Sequence, residues 1–213
     1  LGWKGLGGLE LNGEYVIENS DQYDADGWYG QAAWAFSDTS WSPWIAYRYA
    51  VFSGDDPNTA KNETFTSIAY GYTDYGSWFQ GEISGNYPLG NGNLGSNQFR
   101  VKAQPNESLT LNLIYYNFKL EEPGTLSPDV TSDDWGDEIN FTADYAATEN
   151  VYLIGVLAAC TADGQAERTT VVSKASAHAV RGRRAAGTCR RRAHRAPTPC
   201  RGGGRTRPPA GGG

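Results

Sequence analysis

The stretch N-Q-F-R-V-K-A-Q, Asn97 to Gln104, decides how this chain is read. Phe99, Val101 and Ala103 alternate with Gln98, Arg100 and Lys102. That period of two belongs to a β-strand, whose successive side chains point to opposite faces. In a soluble protein the apolar face would look into a core and the cations into water. In an outer-membrane barrel the pattern is inverted, with the apolar face against lipid and the cations lining a wet lumen. The stretch alone permits both.

Working outward, seven segments alternate in the same way. LELNGEYVIEN sets Leu9, Leu11, Tyr15 and Ile17 against Glu10, Asn12, Glu14 and Val16. GWYGQAAWAF sets Trp28, Ala32, Trp34 and Phe36 against Tyr29, Gln31 and Ala33, and WSPWIAYRYAVF sets Trp41, Ile45, Tyr47, Tyr49 and Val51 against Ser42, Ala46, Arg48 and Ala50. After the opening stretch, LTLNLIYYNF sets Leu109, Leu111, Leu113 and Tyr115 against Thr110, Asn112 and Tyr116. EINFTADY sets Ile139, Phe141, Ala143 and Tyr145 against Glu138, Asn140, Thr142 and Asp144, and VYLIGVL follows from Val151. Such lengths suit tilted strands of ~9–11 residues crossing a bilayer.

The connections take turns. SDTS, PNES and ATEN are tight, whereas Ser20 to Asp26, Ser53 to Ser96 and Glu121 to Gly136 are long and acidic. Short turns at one end and long loops at the other mark an outer-membrane barrel. Were WFQGEISGNY a further full strand, PNES would fall at the long-loop end. Residues 53–96 are therefore expected to form one insert, with SWFQGEISGNY a helical turn or small hairpin folding over or into the lumen, where such inserts constrict a pore.

Charge and aromatics divide the chain near residue 160. Up to Ala159 there are six cations against 22 acids, a net of −16; beyond it lie twelve cations, all three Cys and both His, and no Trp, Tyr or Phe. The expected organisation is a partial barrel over 1–159 and a disordered Arg/Gly/Pro-rich tail over 160–213. The tail cannot bury enough surface to offset ordering. It reads as a basic arm, as solvated polar sequence, or as the out-of-frame translation of a GC-rich gene, and no function is placed on it. No Met occurs, so the chain reads as an internal fragment. The longest apolar run, about VYLIGVLAA, is far short of the ~20 residues of a membrane-spanning helix.

Facing is an energetic question. A one-residue slip would send Arg100 and Lys102 into lipid at ~2–4 kcal/mol each near the midplane. Aromatics at Trp34, Phe36, Trp41 and Trp44 flank the SDTS turn, where an interfacial girdle would lie. The fold class expected is all-β, an antiparallel transmembrane β-barrel, with about seven strands of a parent of 16–18. The competing reading is a soluble β-sandwich or carbohydrate-binding module. A surface-binding barrel would differ in having a blocked lumen.

RYAVFSGDDPNT, YGSWFQGEISGNYPLGNGNL, ESLTLNLIYYNFKLEEP and DDWGDEINFTADY resemble the alginate-export family of outer-membrane proteins, from about Leu9 to Leu157. That resemblance implies passive passage of an anionic polysaccharide through a barrel with an electropositive constriction, in the bacterial outer membrane. The implied partners are the polysaccharide or a small anionic solute, outer-membrane lipid and lipopolysaccharide, and the barrel-assembly machinery for a full-length parent; no nucleic acid and no cofactor is expected. Arg48, Arg100 and Lys102 face inward beside Glu10, Glu14, Glu138 and Asp144, so the lumen charge is mixed, and a porin-like barrel without polysaccharide specificity stands as the alternative.

Arg48, Arg100 and Lys102 form either a cationic ladder for carboxylated sugars or a salt-bridge network with Glu138 or Asp144. Tyr29, Tyr116 and Trp44 offer platforms for sugar rings or simply fill the wall. Trp78, Gln80 and Glu82 shape the constriction or anchor the insert. Asp55 and Asp56, and Asp133 and Asp134, are either Ca²⁺ ligands or acidic surface loops. No catalytic residue is expected, because the segment before residue 160 contains no His to activate a nucleophile, and no pair of acids is placed by spacing for glycoside cleavage.

Overall fold

The computed structural model describes residues 2–66, 80–86, 88–161 and 170–179, the last stretch by its backbone. They belong to one unit, Leu1–Arg181; a second, Gly182–Gly213, lies outside the described residues. Nine strands form one antiparallel sheet in chain order: β1 (Gly2–Lys4), β2 (Leu9–Asn19), β3 (Asp24–Ala35), β4 (Trp44–Phe52), β5 (Leu94–Asn106), β6 (Leu109–Lys119), β7 (Asp134–Thr148), β8 (Val151–Thr161) and β9 (Thr170–Ala179). The protein is all-β, and β1 and β9 are the two edges of the described sheet. No described helix is long and apolar enough to cross a membrane.

Nine strands replace the seven expected. β1 is too short to show a period, and β9 lies beyond the compositional boundary. β8 runs to Thr161 and pairs with β9 through Cys160 and Thr170, so the sheet crosses the point where the tail was expected to begin. Backbone pairing needs no aromatic residue, and Thr170, Val171 and Val172 are β-branched formers of extended chain. β5 passes through Pro105, where its register against β6 shifts between Ala103 and Asn106. Such an irregularity accommodates a residue without an N–H.

Connections at one end are residues 5–8, 36–43, 107–108 and 149–150; at the other they are 20–23, 53–93 and 120–133. The connection expected over Ser20 to Asp26 is thus short. Ser20 Oγ accepts the N–H groups of Gln22 and Tyr23 at 3.2 and 3.1 Å, which closes the turn before β3 starts at Asp24.

The two faces differ sharply. Phe99 is 53% exposed, and Tyr47, Leu113, Tyr115, Ile139 and Phe141 share its open face. The opposite face is covered, and there the chain keeps Tyr29, Ala46, Arg48, Gln98, Asn112, Tyr116, Glu138, Asn140 and Thr142. Register stacks these into rows running across the strands. One row is Asn12, Gln31, Arg48, Gln98, Tyr116, Glu138 and Cys160; the next, toward the tight turns, includes Glu10, Ala33, Ala46, Arg100, Ile114 and Asn140; the third includes Ala35, Trp44, Lys102, Asn112 and Thr142.

The covered face is not uniformly polar. From the long loops inward as far as the rows of Arg48 and Arg100, Ala25, Tyr29, Ala50, Phe52, Leu94, Ile114, Tyr116 and Phe118 form an apolar cluster with Phe65 of the insert, and Leu89 and Trp135 pack on it. Phe52 and Phe65 meet at 5.4 Å, and Tyr116 stacks on Phe118 at 5.3 Å. The cation-bearing face was expected to line a wet lumen with the insert folding over or into it; here the insert packs on an apolar part of that face.

Candidate functional site

The covered face narrows into a polar band between the apolar cluster and the tight turns. Arg48, on β4 in the interior of the sheet, is 8% exposed. Its Nε and Nη2 donate to Gln31 Oε1 at 3.0 and 2.7 Å, and its guanidinium lies 4.6 Å from the Tyr29 ring centroid. In the same row Gln98 Nε2 donates to Tyr116 Oη at 2.9 Å, which satisfies the hydroxyl of a fully buried ring.

One row nearer the tight turns, Arg100 Nε and Nη2 donate to Asn112 Oδ1 at 3.1 and 2.8 Å. Asn112 Nδ2 continues the chain to Thr142 Oγ1 at 3.0 Å and to Asp144 Oδ2 at 3.4 Å. Lys102 Nζ lies 4.8 Å and the Arg100 guanidinium 5.6 Å from the Trp44 ring. The Trp44 indole N–H donates to Glu10 Oε2 at 3.2 Å, and Glu10 also pairs with Lys4 at 2.8 Å. Arg48, Arg100 and Lys102 therefore share the covered face in three successive rows, spaced by two residues along the strands.

Glu138 does something else. Its carboxylate accepts the backbone N–H of Ile83 at 3.0 Å and that of Ser84 at 2.6 Å. Gly81 sits at φ +80, and a Cβ there would come within 2.8 Å of Glu138 Oε1. Only a glycine allows the insert to turn this close to the wall. Ser96 Oγ donates to Gln80 Oε1 at 2.5 Å, so Gln80 and the Ile83–Ser84 backbone fasten residues 80–86 to β5 and β7. These residues form turns, and Glu82 is buried among them, while Trp78 lies outside the described residues. At the insert's other end Asn93 Nδ2 donates to Glu122 O at 2.9 Å and its Oδ1 accepts the Glu122 N–H at 2.6 Å, tying it to the 120–133 loop.

The acidic loops have protein partners. Asp55 Oδ1 accepts the Glu63 N–H, and Asp56 Oδ1 accepts the backbone and side-chain N–H groups of Asn58, which hold the Asp56 carboxyl below its ordinary range. Lys119, 2.9 Å away, holds Asp133 low in the same way. No group of three or more potential metal ligands forms among the described residues.

Sequence reasoning placed the three cations on one face and offered Tyr29, Tyr116 and Trp44 there only if inward, with Trp44 also counted toward an interfacial girdle. Register sets all three rings on the covered face, which removes Trp44 from the girdle. Lys4, the role of Glu10 as an anchor for Trp44, and the pairing of Gln98 with Tyr116 were missed. Lys4 meets Glu10 across the β1–β2 turn, and the other two pairs are 18 and 34 residues apart along the chain, so no shared strand period joins them. A partial trace lay in Phe52 and Phe118, apolar residues whose strand parity sets them on the cation-bearing face. No protein-family model matches the chain, and no curated protein matches it.

Proposed function

We propose that the chain is part of the wall of a transmembrane β-barrel in a bacterial outer membrane, and that its covered face conducts an anionic polysaccharide or smaller anionic solute. The observation that carries this reading is the inversion of the sheet: the open face is apolar over its middle, and the cations lie on the face that the insert covers. A soluble sandwich would place Phe99, Phe141 and Tyr47 in a dry centre, yet these are 53%, 40% and 40% exposed.

The open face has an edge. Register brings Tyr49, Asn97, Asn117, Asp137 and Thr161 into one row. Tyr47 Oη donates to Asn97 Oδ1 at 2.7 Å and Tyr115 Oη to Asp137 Oδ1 at 2.8 Å, so each phenol reaches from the apolar band into this polar row. From Leu109, where β6 starts, to Asn117 the chain rises roughly 27 Å at ~3.4 Å per residue. At a barrel tilt of about 40° that is roughly 21 Å of height, against an apolar band of ~25 Å in such proteins. Rings at Trp34, Phe36, Trp41 and Tyr145 lie at the tight-turn end of the band, as interfacial girdles do.

Reconstitution of the chain in planar bilayers tests the reading. Conductance with an anion preference that falls when Arg100 and Lys102 are both replaced by Gln supports it; failure to insert into lipid sinks it. A surface-binding barrel is the second reading, favoured by the apolar cluster that seals the long-loop half of the covered face. It predicts insertion with no conductance.

A further inference from the structure

Across β6, β7 and β8 the open face carries a shallow crevice of ≈ 280 Å³ lined by Tyr115, Asp137, Ile139, Ala159 and Thr161. Register explains its place. Tyr115, Ile139 and Ala159 stand in one row and Asn117, Asp137 and Thr161 in the next toward the long loops, so the crevice straddles the limit of the apolar band. Its hollow comes from Ala159, whose single methyl leaves room beside Ile139. The crevice also holds a charge. Asp137 Oδ1 accepts the Tyr115 hydroxyl at 2.8 Å and Asn117 Nδ2 at 3.0 Å, both neutral donors, and the carboxylate forms no ion pair among the described residues. Lys119, one row farther out on β6, is taken by Asp133 at 2.9 Å.

We propose that this crevice binds a phospholipid with a primary ammonium in its headgroup, the phosphatidylethanolamine class. The ammonium lies at the Asp137 carboxylate, a phosphate oxygen at the Thr161 hydroxyl, and the start of one acyl chain over Ile139 and Ala159. On a water-facing surface an acid such as Asp137 needs no partner. At a lipid face an ionised side chain is costly, and where one persists a group of opposite charge answers it. An ammonium N–H gives the carboxylate a charge-assisted hydrogen bond, which a quaternary choline, having no N–H, does not form. An anionic head would set like charge against like. Tyr115 and Asn117 fix the acid through Oδ1 and leave Oδ2 to the ligand. The volume lies just below the ~300–1,000 Å³ of pockets that enclose a whole small molecule, and suits a headgroup with its first methylenes.

The inference rests on the reading that the open face meets lipid, and it is independent of what the covered face conducts.

Mass spectrometry of the intact full chain released from detergent micelles tests this, by titration with dioleoylphosphatidylethanolamine and dioleoylphosphatidylcholine. Both lipids are zwitterionic, so the acidity of the rest of the chain does not separate them. The first ethanolamine lipid is expected to bind at least about fivefold more tightly than the first choline lipid. Asp137→Asn should abolish that preference, and Ala159→Leu, which fills the hollow, should weaken the first ethanolamine lipid by about fivefold. Asp38→Asn, in the 36–43 turn at the other end of the sheet, should change nothing. Circular dichroism of each variant verifies that the sheet is intact, and flotation with vesicles scores insertion. A chain that inserts yet binds the two lipids equally, binds neither, or keeps its preference in Asp137→Asn overturns the site and leaves the reading of the wall standing. A chain that stays out of vesicles sinks that reading and the site together. Preference with the stated losses in a chain that conducts nothing upholds the site and sinks only the conduction.

Discussion

Glu138 and Arg100 carry opposite charges on one face of one sheet, and the structure uses them for different ends. Arg100 is held by a neutral amide, Asn112, whereas the Glu138 carboxylate is taken up by two backbone N–H groups of the insert. Removing that acceptor strands buried donors at about 1–3 kcal/mol each. Glu138→Leu should therefore loosen residues 80–86 and raise their rate of cleavage in limited proteolysis several-fold, whereas Glu138→Gln, which keeps one acceptor oxygen, should fall between it and the wild type. Asp133 gives a residue-scale test with a sign. Its folded carboxyl is held below the ordinary value by Lys119. The contribution is present above the unfolded pKa of ~3.9 and disappears as pH falls through the lower folded value. Both partners are exposed, so the effect is small and screened by salt. Asp133→Asn should lower the thermal midpoint slightly at pH 7 and low salt, and the two proteins should melt alike at pH 2 or in 1 M salt.

At the scale of the strand, alternation fixes which residues share a face, and the solvent fixes which face is which. β6 states the contrast most clearly, with Leu113 and Tyr115 open, Leu109 and Leu111 half-buried on the same face, and Asn112, Ile114, Tyr116 and Phe118 covered. Leu113→Arg separates the two environments. If the open face meets lipid, the change should cost ~2–4 kcal/mol in folding titrations into vesicles. On a water-exposed sheet the same change should stay within about 0.5 kcal/mol. Strand period was plain in the sequence, but strand ends were not. β5 reaches back to Leu94 and forward through Pro105, and β7 starts at Asp134, because a ladder continues wherever a neighbour offers hydrogen bonds and not where an apolar period stops.

For the whole molecule, the insert and the sheet act as one packed body at the long-loop end. Phe52 belongs to β4 and Phe65 to the insert, and each fills space left by the other. Phe52→Ala should destabilise the protein by about 3–5 kcal/mol. Phe65→Ala should be non-additive with it, with a coupling of about 0.5–3 kcal/mol in a double-mutant cycle read from urea unfolding. Additive effects would mean that the insert does not pack on the wall as described. The cluster also bears on the proposed conduction, since it covers the long-loop end of the face that carries the cations and reaches the rows of Arg48 and Arg100 through Tyr116 and Ile114.

The sequence by itself determined the antiparallel all-β character and the company kept by Arg48, Arg100 and Lys102, because side-chain period and charge are local properties and a slip of one residue moves every side chain to the other face. Only the tertiary structure decided that Glu138 anchors the insert, that Glu10 orients Trp44 against Lys102, and that half of the cation-bearing face is dry. Each of these depends on groups brought together from distant parts of the chain by strand register and by a long insert. A side chain's partner across such distances is set by where the backbone places it, not by its neighbours in sequence.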